Sequence, residues 1–74
     1  MKKIYETNEW KGRGSGKHYY HNEYRQEDDK VVKYQCHRGK NFDGNESEWV
    51  EDEKVVDSWD VDSPDMPDWL RNKL

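Results

Sequence analysis

Apolar side chains are too scarce in this chain to fill an ordinary globular core. Val, Ile, Leu and Phe together number ten of 74 residues, and alanine is absent. A share that low falls under the roughly 20% at which disorder becomes the default expectation. Two features oppose disorder, which goes with high net charge and few aromatics. The net charge is only −4, and ten residues are aromatic: Tyr5, Trp10, Tyr19, Tyr20, Tyr24, Tyr34, Phe42, Trp49, Trp59 and Trp69. Whatever core forms must be built largely from these rings, each able to bury about 150–250 Å². A domain of this length buries only about 60% of the surface its unfolded chain exposes. The expectation is one small, marginal domain spanning 1–74, helped by a partner or by pairing as a homodimer.

Period-2 alternation supplies the fold class. Residues 31–37, VVKYQCH, put Val32, Tyr34 and Cys36 on one face and Lys33, Gln35 and His37 on the other, the mark of a half-buried strand. Residues 18–26 alternate with Tyr20 and Tyr24 opposite Tyr19, His21 and Glu23. A polar turn over 27–30 separates these two strands. Residues 2–10 read as a short first strand, and 11–17, KGRGSGK, as a flexible basic loop, because three glycines and a serine fix no geometry. Asp43-Gly44 within 41–45 is a hairpin signal. Strands are expected over 47–51 and 54–61 with a turn at 52–54; Val55, Trp59 and Val61 form the inner set, and Asp57 interrupts it. The tail 63–74 carries helix-start signals, Ser63, two early prolines and acids in the first turn, with Trp69, Leu70 and Leu74 as a small apolar face. The predicted architecture is mainly β (small α+β), an antiparallel meander of four or five strands with a short C-terminal helix.

Charge divides along the chain. Residues 1–42 hold ten Lys/Arg and six Asp/Glu, a net +4; residues 43–74 hold three and eleven, a net −8. Such asymmetry points to partners rather than to fold. Glu46/Glu48, Glu51/Glu53 and Asp60/Asp62 are spaced i, i+2, which on a strand sets carboxylates about 6.6–6.8 Å apart on one face. A rigid row of that kind resembles a phosphate backbone and suits the Lys/Arg cleft of a nucleic-acid-binding protein; solvation of an outward face is the plainer role. Trp49 and Trp59 lie within the acidic segment, as anchors ringed by charge or as core. In the basic half, Lys11, Arg13 and Lys17 could meet phosphates, joined by Arg25, Lys33, Arg38 and Lys40. Tyr19, Tyr20 and Tyr24 would then serve as stacking platforms.

Motifs for chemistry are weak. The loop from Gly12 to His18 is not a phosphate loop, since Lys11 stands where the first glycine belongs and His18 replaces Ser/Thr. The stretch 60–65 lacks the turn glycine and the terminal Glu of a calcium loop. His18, His21, Cys36 and His37 are zinc-type residues, but no close ligand pair repeats among them, and neighbours on a strand face opposite ways. No metal or cofactor is therefore expected. The single Cys36 excludes an intrachain disulfide and suits a reducing compartment. The N-terminus has no apolar h-region and no run approaches a membrane span, so a cytoplasmic location is expected and the Asn45-Glu46-Ser47 sequon is read as chance.

Residues with A/T-rich codons (Lys, Asn, Tyr, Ile, Phe, Met) total 23 against 11 with G/C-rich codons (Gly, Ala, Arg, Pro), which fits a small phage or mobile-element protein. Seventy-four residues leave little room for a catalytic cleft. The reading that follows is a protein-interaction module, not an enzyme. It is of the kind a phage uses as inhibitor or regulator, presenting Glu46, Glu48, Trp49, Glu51, Glu53, Trp59, Asp60 and Asp62 to a protein with a basic surface. The alternative is direct nucleic-acid binding through the basic, Tyr-rich half.

Overall fold

The computed structural model describes residues 2–13, 16–40 and 49–74. Five strands form one antiparallel sheet: β1 (Lys2–Glu6), β2 (Trp10–Lys11), β3 (Lys17–Glu27), β4 (Lys30–Lys40) and β5 (Val50–Asp60). The spatial order is β1-β3-β4-β5, with β2 lying beside β1 along the same edge of β3. A four-residue helix, α1 (Asp68–Arg71), ends the chain. The expected mainly-β meander with a C-terminal helix is what forms. Its shape is long and thin, 50 × 20 × 15 Å, because three eleven-residue strands lie side by side with little stacked on them.

The β3–β4 hairpin is the spine. Its turn is Asp28-Asp29, tighter than the four-residue turn expected, and both strands run further than the alternation alone marked. Asp28 takes φ 56°, a left-handed conformation that Asp tolerates better than most side chains. A two-residue turn fixes the register: Glu27 faces Lys30, Tyr24 faces Lys33, His21 faces Cys36 and Tyr20 faces His37. The side-chain alternation expected for both strands holds.

Two expected boundaries change, and so does one expected set of inner residues. Residues 2–10 form two strands, separated at Thr7, whose N–H donates to Asn22 O at 2.9 Å and whose Oγ1 accepts from Asn22 N–H at 2.9 Å. The turn expected at 52–54 does not occur; β5 runs unbroken from Val50 to Asp60, because Asp52 and Glu53 pair with His37 and Cys36 of β4. A bulge in β5 between Asp57 and Val55 leaves Val56 without a partner in β4. Val55 and Trp59 therefore lie on opposite faces, not in one inner set. The Asp43-Gly44 signal lies outside the described residues, as do Gly14 and Ser15 of the glycine loop.

The C-terminal segment covers one end of one face. Leu70 and Val31 are fully buried, and Tyr24 and Met66 nearly so, with Ile4, Trp59 and Val61 packed around them. Leu70 belongs to the apolar face expected of the tail, but Leu74 stays exposed and Met66 takes the inner place. Trp69, half exposed, sets its edge on Tyr5 and Tyr24 at centroid distances of 5.4 and 5.1 Å. Arg71 fastens the segment: its guanidinium donates to Val61 O at 2.9 Å and to Ser63 O. The turn is tied in by Val61 N–H donating to Asp29 O at 2.8 Å. No helix among the described residues is long and apolar enough to cross a membrane.

Candidate functional site

Among the described residues, three surfaces have nothing packed on them: the far end of the helix-bearing face, the opposite face, and the outer edge of β5. On the far end, Trp10, Tyr20 and His37 stack in succession, with centroids 5.9 and 4.8 Å apart, and His18 lies on His37 at 5.2 Å. Asp52 Oδ2 stands 3.2 Å from His37 Nδ1, and His37 Nε2 stands 2.9 Å from His18 Nδ1. A carboxylate can only accept, so a neutral His37 carries its proton on Nδ1 and accepts from His18 on Nε2. Gly39 makes the pair fit: a Cβ there would meet His18 Nδ1 at 2.4 Å and His37 Nε2 at 2.6 Å.

The opposite face is a lattice of ion pairs. Arg25 from β3 donates to Glu23 Oε1 through Nε and Nη2 at 3.2 and 3.1 Å, and to Glu53 of β5 through Nη1 at 3.1 Å and through Nη2. Its guanidinium lies over the Tyr34 ring at 4.2 Å. His21 Nε2 donates to Glu23 Oε2 at 2.8 Å. That hydrogen bond, helped by Arg25, holds Glu23 below the ordinary carboxylate range, and the hydrogen bond from Arg25 does the same for Glu53. Arg25 is in turn held more firmly protonated, chiefly by Glu53. Cys36 sits directly between His21 and Glu53 in the register. Burial, then the neighbouring Glu23 charge, pushes its thiol up to about 11. Further along, Arg38 bonds Glu9 at 2.8 and 2.9 Å and covers the rings of Tyr19 and Trp49 at 5.0 and 5.3 Å. His21, Glu23, Arg25, Cys36, Arg38, Glu51 and Glu53 are among the residues around an open depression of about 490 Å³.

The acidic residues do not form one row. Glu51, Glu53 and Asp60 lie on the ion-pair face, Asp52 and Asp57 on the other, and Asp62 in the turn after β5. Glu46 and Glu48 lie outside the described residues. Basic residues of β3 and β4 lie beside the acids within the molecule: Arg25 bonds Glu53, and in the register Arg38 stands opposite Glu51, Lys33 opposite Asp57 and Lys30 opposite Asp60. Trp59 is a core residue, stacked on Tyr24 at 6.3 Å, whereas Trp49 is exposed and lies near Tyr19 at 6.3 Å.

Of the nucleic-acid candidates, Tyr24 is buried, which removes it as a stacking platform. Tyr19 and Tyr20 are partly open on opposite faces, and Lys11 pairs across from Tyr19. Lys17 stands opposite Lys40, and Arg13 is exposed in the loop after β2. The register also brings His21 and Cys36 together with Glu23, a grouping the linear spacing did not reveal. Pairing the two expected strands across the turn at 27–30, which already sets 21 opposite 36, would have found it.

The chain matches no protein-family model, no curated protein and no solved structure.

Proposed function

We propose that this protein is a binding module that takes up an extended, Lys/Arg-bearing segment of a partner protein as an added strand along the outer edge of β5. The observation that carries this reading is the edge itself. β5 is eleven residues long, exposed at every position but Trp59, and no described strand pairs on its outer side. An edge strand offers alternate N–H and C=O groups to another chain. Val50, Val55 and Val56 are 56, 59 and 44% exposed and supply apolar contacts for alternate side chains of the added strand. β5 itself carries five acids against the single Lys54. Arg25 bonds Glu53, and Arg38, Lys33 and Lys30 stand opposite three others on the inner side, so a basic strand would add cations on the outer side.

Charge selects the occupant. Pairing of two copies of β5 in antiparallel fashion about Val55 would set Glu53 against Asp57, and like charges directly opposite destabilise a sheet. A basic strand meets opposite charge instead. In its finer form, the partner is itself a nucleic-acid-binding protein whose basic segment is occupied, the behaviour expected of a phage-type inhibitor.

The test is anisotropy titration with a labelled alternating Val/Lys peptide, its Val/Glu counterpart, and single- and double-stranded DNA and RNA. The basic peptide should bind, and weaken steeply with salt. Charge reversal at Glu51→Lys with Asp57→Lys should reduce its affinity by roughly tenfold or more while leaving the far-ultraviolet spectrum unchanged. Equal affinity for the two peptides, nucleic acid bound in preference to either, or dimerisation in place of peptide binding would each overturn the reading.

A further inference from the structure

We infer that His21, Glu23 and Cys36 form a transition-metal site of the zinc type on the ion-pair face, independent of the β5 edge. The three donors, an imidazole nitrogen, a carboxylate oxygen and a thiol sulfur, all lie within 4.8 Å of one another. Donors around a tetrahedral zinc stand about 3.3–3.8 Å apart, given bond lengths of about 2.0–2.3 Å. His21 Nε2 and Glu23 Oε2, at 2.8 Å, are closer than that, and the spread to 4.8 Å is wider. Small side-chain rotations therefore suffice to bring all three to bonding distance. His21 and Glu23 are two apart on β3 and Cys36 faces His21 across the hairpin, so a rigid backbone sets the spacing. Glu6 of β1, whose Oε2 is 3.9 Å from His21 Nε2, is within reach of a fourth position.

Two further observations point the same way. The first is orientation. Arg25 occupies Glu23 Oε1 with two hydrogen bonds and leaves Oε2 turned toward His21, the arrangement by which outer partners aim a ligating carboxylate. The donors border the open depression on this face, so an ion can enter.

The second is charge. With the thiol protonated, Glu23 and Glu53 place two negative charges against the one on Arg25, leaving the cluster one negative charge in excess. A divalent ion that displaces the Cys36 proton adds two positive charges and creates one negative. Three positive charges then face three negative, with His21 neutral and its proton moved to Nδ1. Coordination forms a metal–sulfur bond and releases the thiol proton to solvent, and no electron changes hands.

Cobalt(II) is the probe. Added to the reduced, full-length protein, it should give the near-ultraviolet thiolate charge-transfer band and the visible bands of a tetrahedral ion. Zinc should displace it, releasing about one proton per ion in weakly buffered solution. Cys36→Ser should abolish the charge-transfer band. His21→Ala and Glu23→Gln should each weaken binding at least about tenfold. His37→Gln, which removes the imidazole pair on the other face, should leave affinity and spectrum unchanged. Because Cys36→Ser could disturb packing, Glu23→Gln serves as the mild second variant, with the apo melting curve as control. Absence of the thiolate band at saturating cobalt, or binding lost in His37→Gln and kept in His21→Ala, would overturn the assignment.

Discussion

At one end of the sheet, Leu70 and Met66 sit on Tyr24 and Val31, with Ile4, Trp59 and Val61 packed around them. At the other end, on the same face, no described segment covers the surface, and Trp10, Tyr20, His37 and His18 stack on one another, with Trp10 41% exposed. The two ends share strands, pleat and twist. They differ in what their side chains lean on. The covered end is held by removal of apolar surface from water, an area-scaled term. The open end is held by ring stacking and the Asp52–His37–His18 hydrogen bonds, each individually modest. A chain with so few aliphatic residues can close one end, and the rest of its surface is left for ion pairs or for partners.

Matched substitutions at the two ends should therefore cost different amounts. Leu70→Ala should cost about 2–5 kcal/mol, the range for emptying a fully buried leucine site, and could unfold so small a domain; thermal or urea unfolding measures it. At the open end, Tyr20→Leu keeps bulk and loses the stack, and should cost only about 0.5–1.5 kcal/mol. Equal losses at the two ends would show that both are true core. Asp28→Val forces a β-branched side chain into the left-handed region at the turn and should cost about 1–2 kcal/mol. It acts on both ends together, because the turn sets the register for all of β3 and β4. Gly39→Ala should have the smallest effect on unfolding, since the atoms its Cβ meets are the movable tips of His18 and His37; the change appears instead in the imidazole NMR signals.

The ion-pair face, neither end, should dominate the pH profile. Glu23 and Glu53 titrate below their ordinary value of 4.5 in the folded chain. The unfolded state therefore takes up protons first as pH falls. Their contribution is complete above about 4.5 and is lost as pH drops through the lower folded values. Cys36 works in the opposite sense. Its thiol is raised from 9.0 to about 11, so stability from this group is full below 9.0 and declines as pH rises from there through 11. Arg25→Gln should shrink the acid-side loss, and Cys36→Ala the alkaline one, both read from melting temperature against pH.

Alternation made the strand faces legible, because Tyr20/Tyr24 and Val32/Tyr34/Cys36 recur with period 2 and a single strand repeats in no other way. The register was legible as well. The turn expected at 27–30 already sets 26 opposite 31 and so His21 opposite Cys36. The grouping was hidden because the histidines and Cys36 were compared only with their neighbours in sequence, and Glu23 was not counted with them. Other features were not written in any local pattern. The bulge at Val56 moves Val55 to the face opposite Trp59, and it is defined only by the register against β4. Met66, between two prolines, carries no periodic signal, yet takes a core place because the chain turns back over Tyr24. The acids of 51–60 looked like a free row because sequence cannot show that the basic residues of β4 would lie beside them.

Amide hydrogen exchange along β5 is the direct test of strand addition at its outer edge. In the free protein, the outward amides of Val50–Asp60 should exchange fast while those of the β3–β4 hairpin stay protected. On addition of the basic Val/Lys peptide, alternate β5 amides should become protected and the hairpin should not change. Binding of that peptide with no added protection in β5, or with protection appearing instead around Trp10 and Tyr20, would contradict the account.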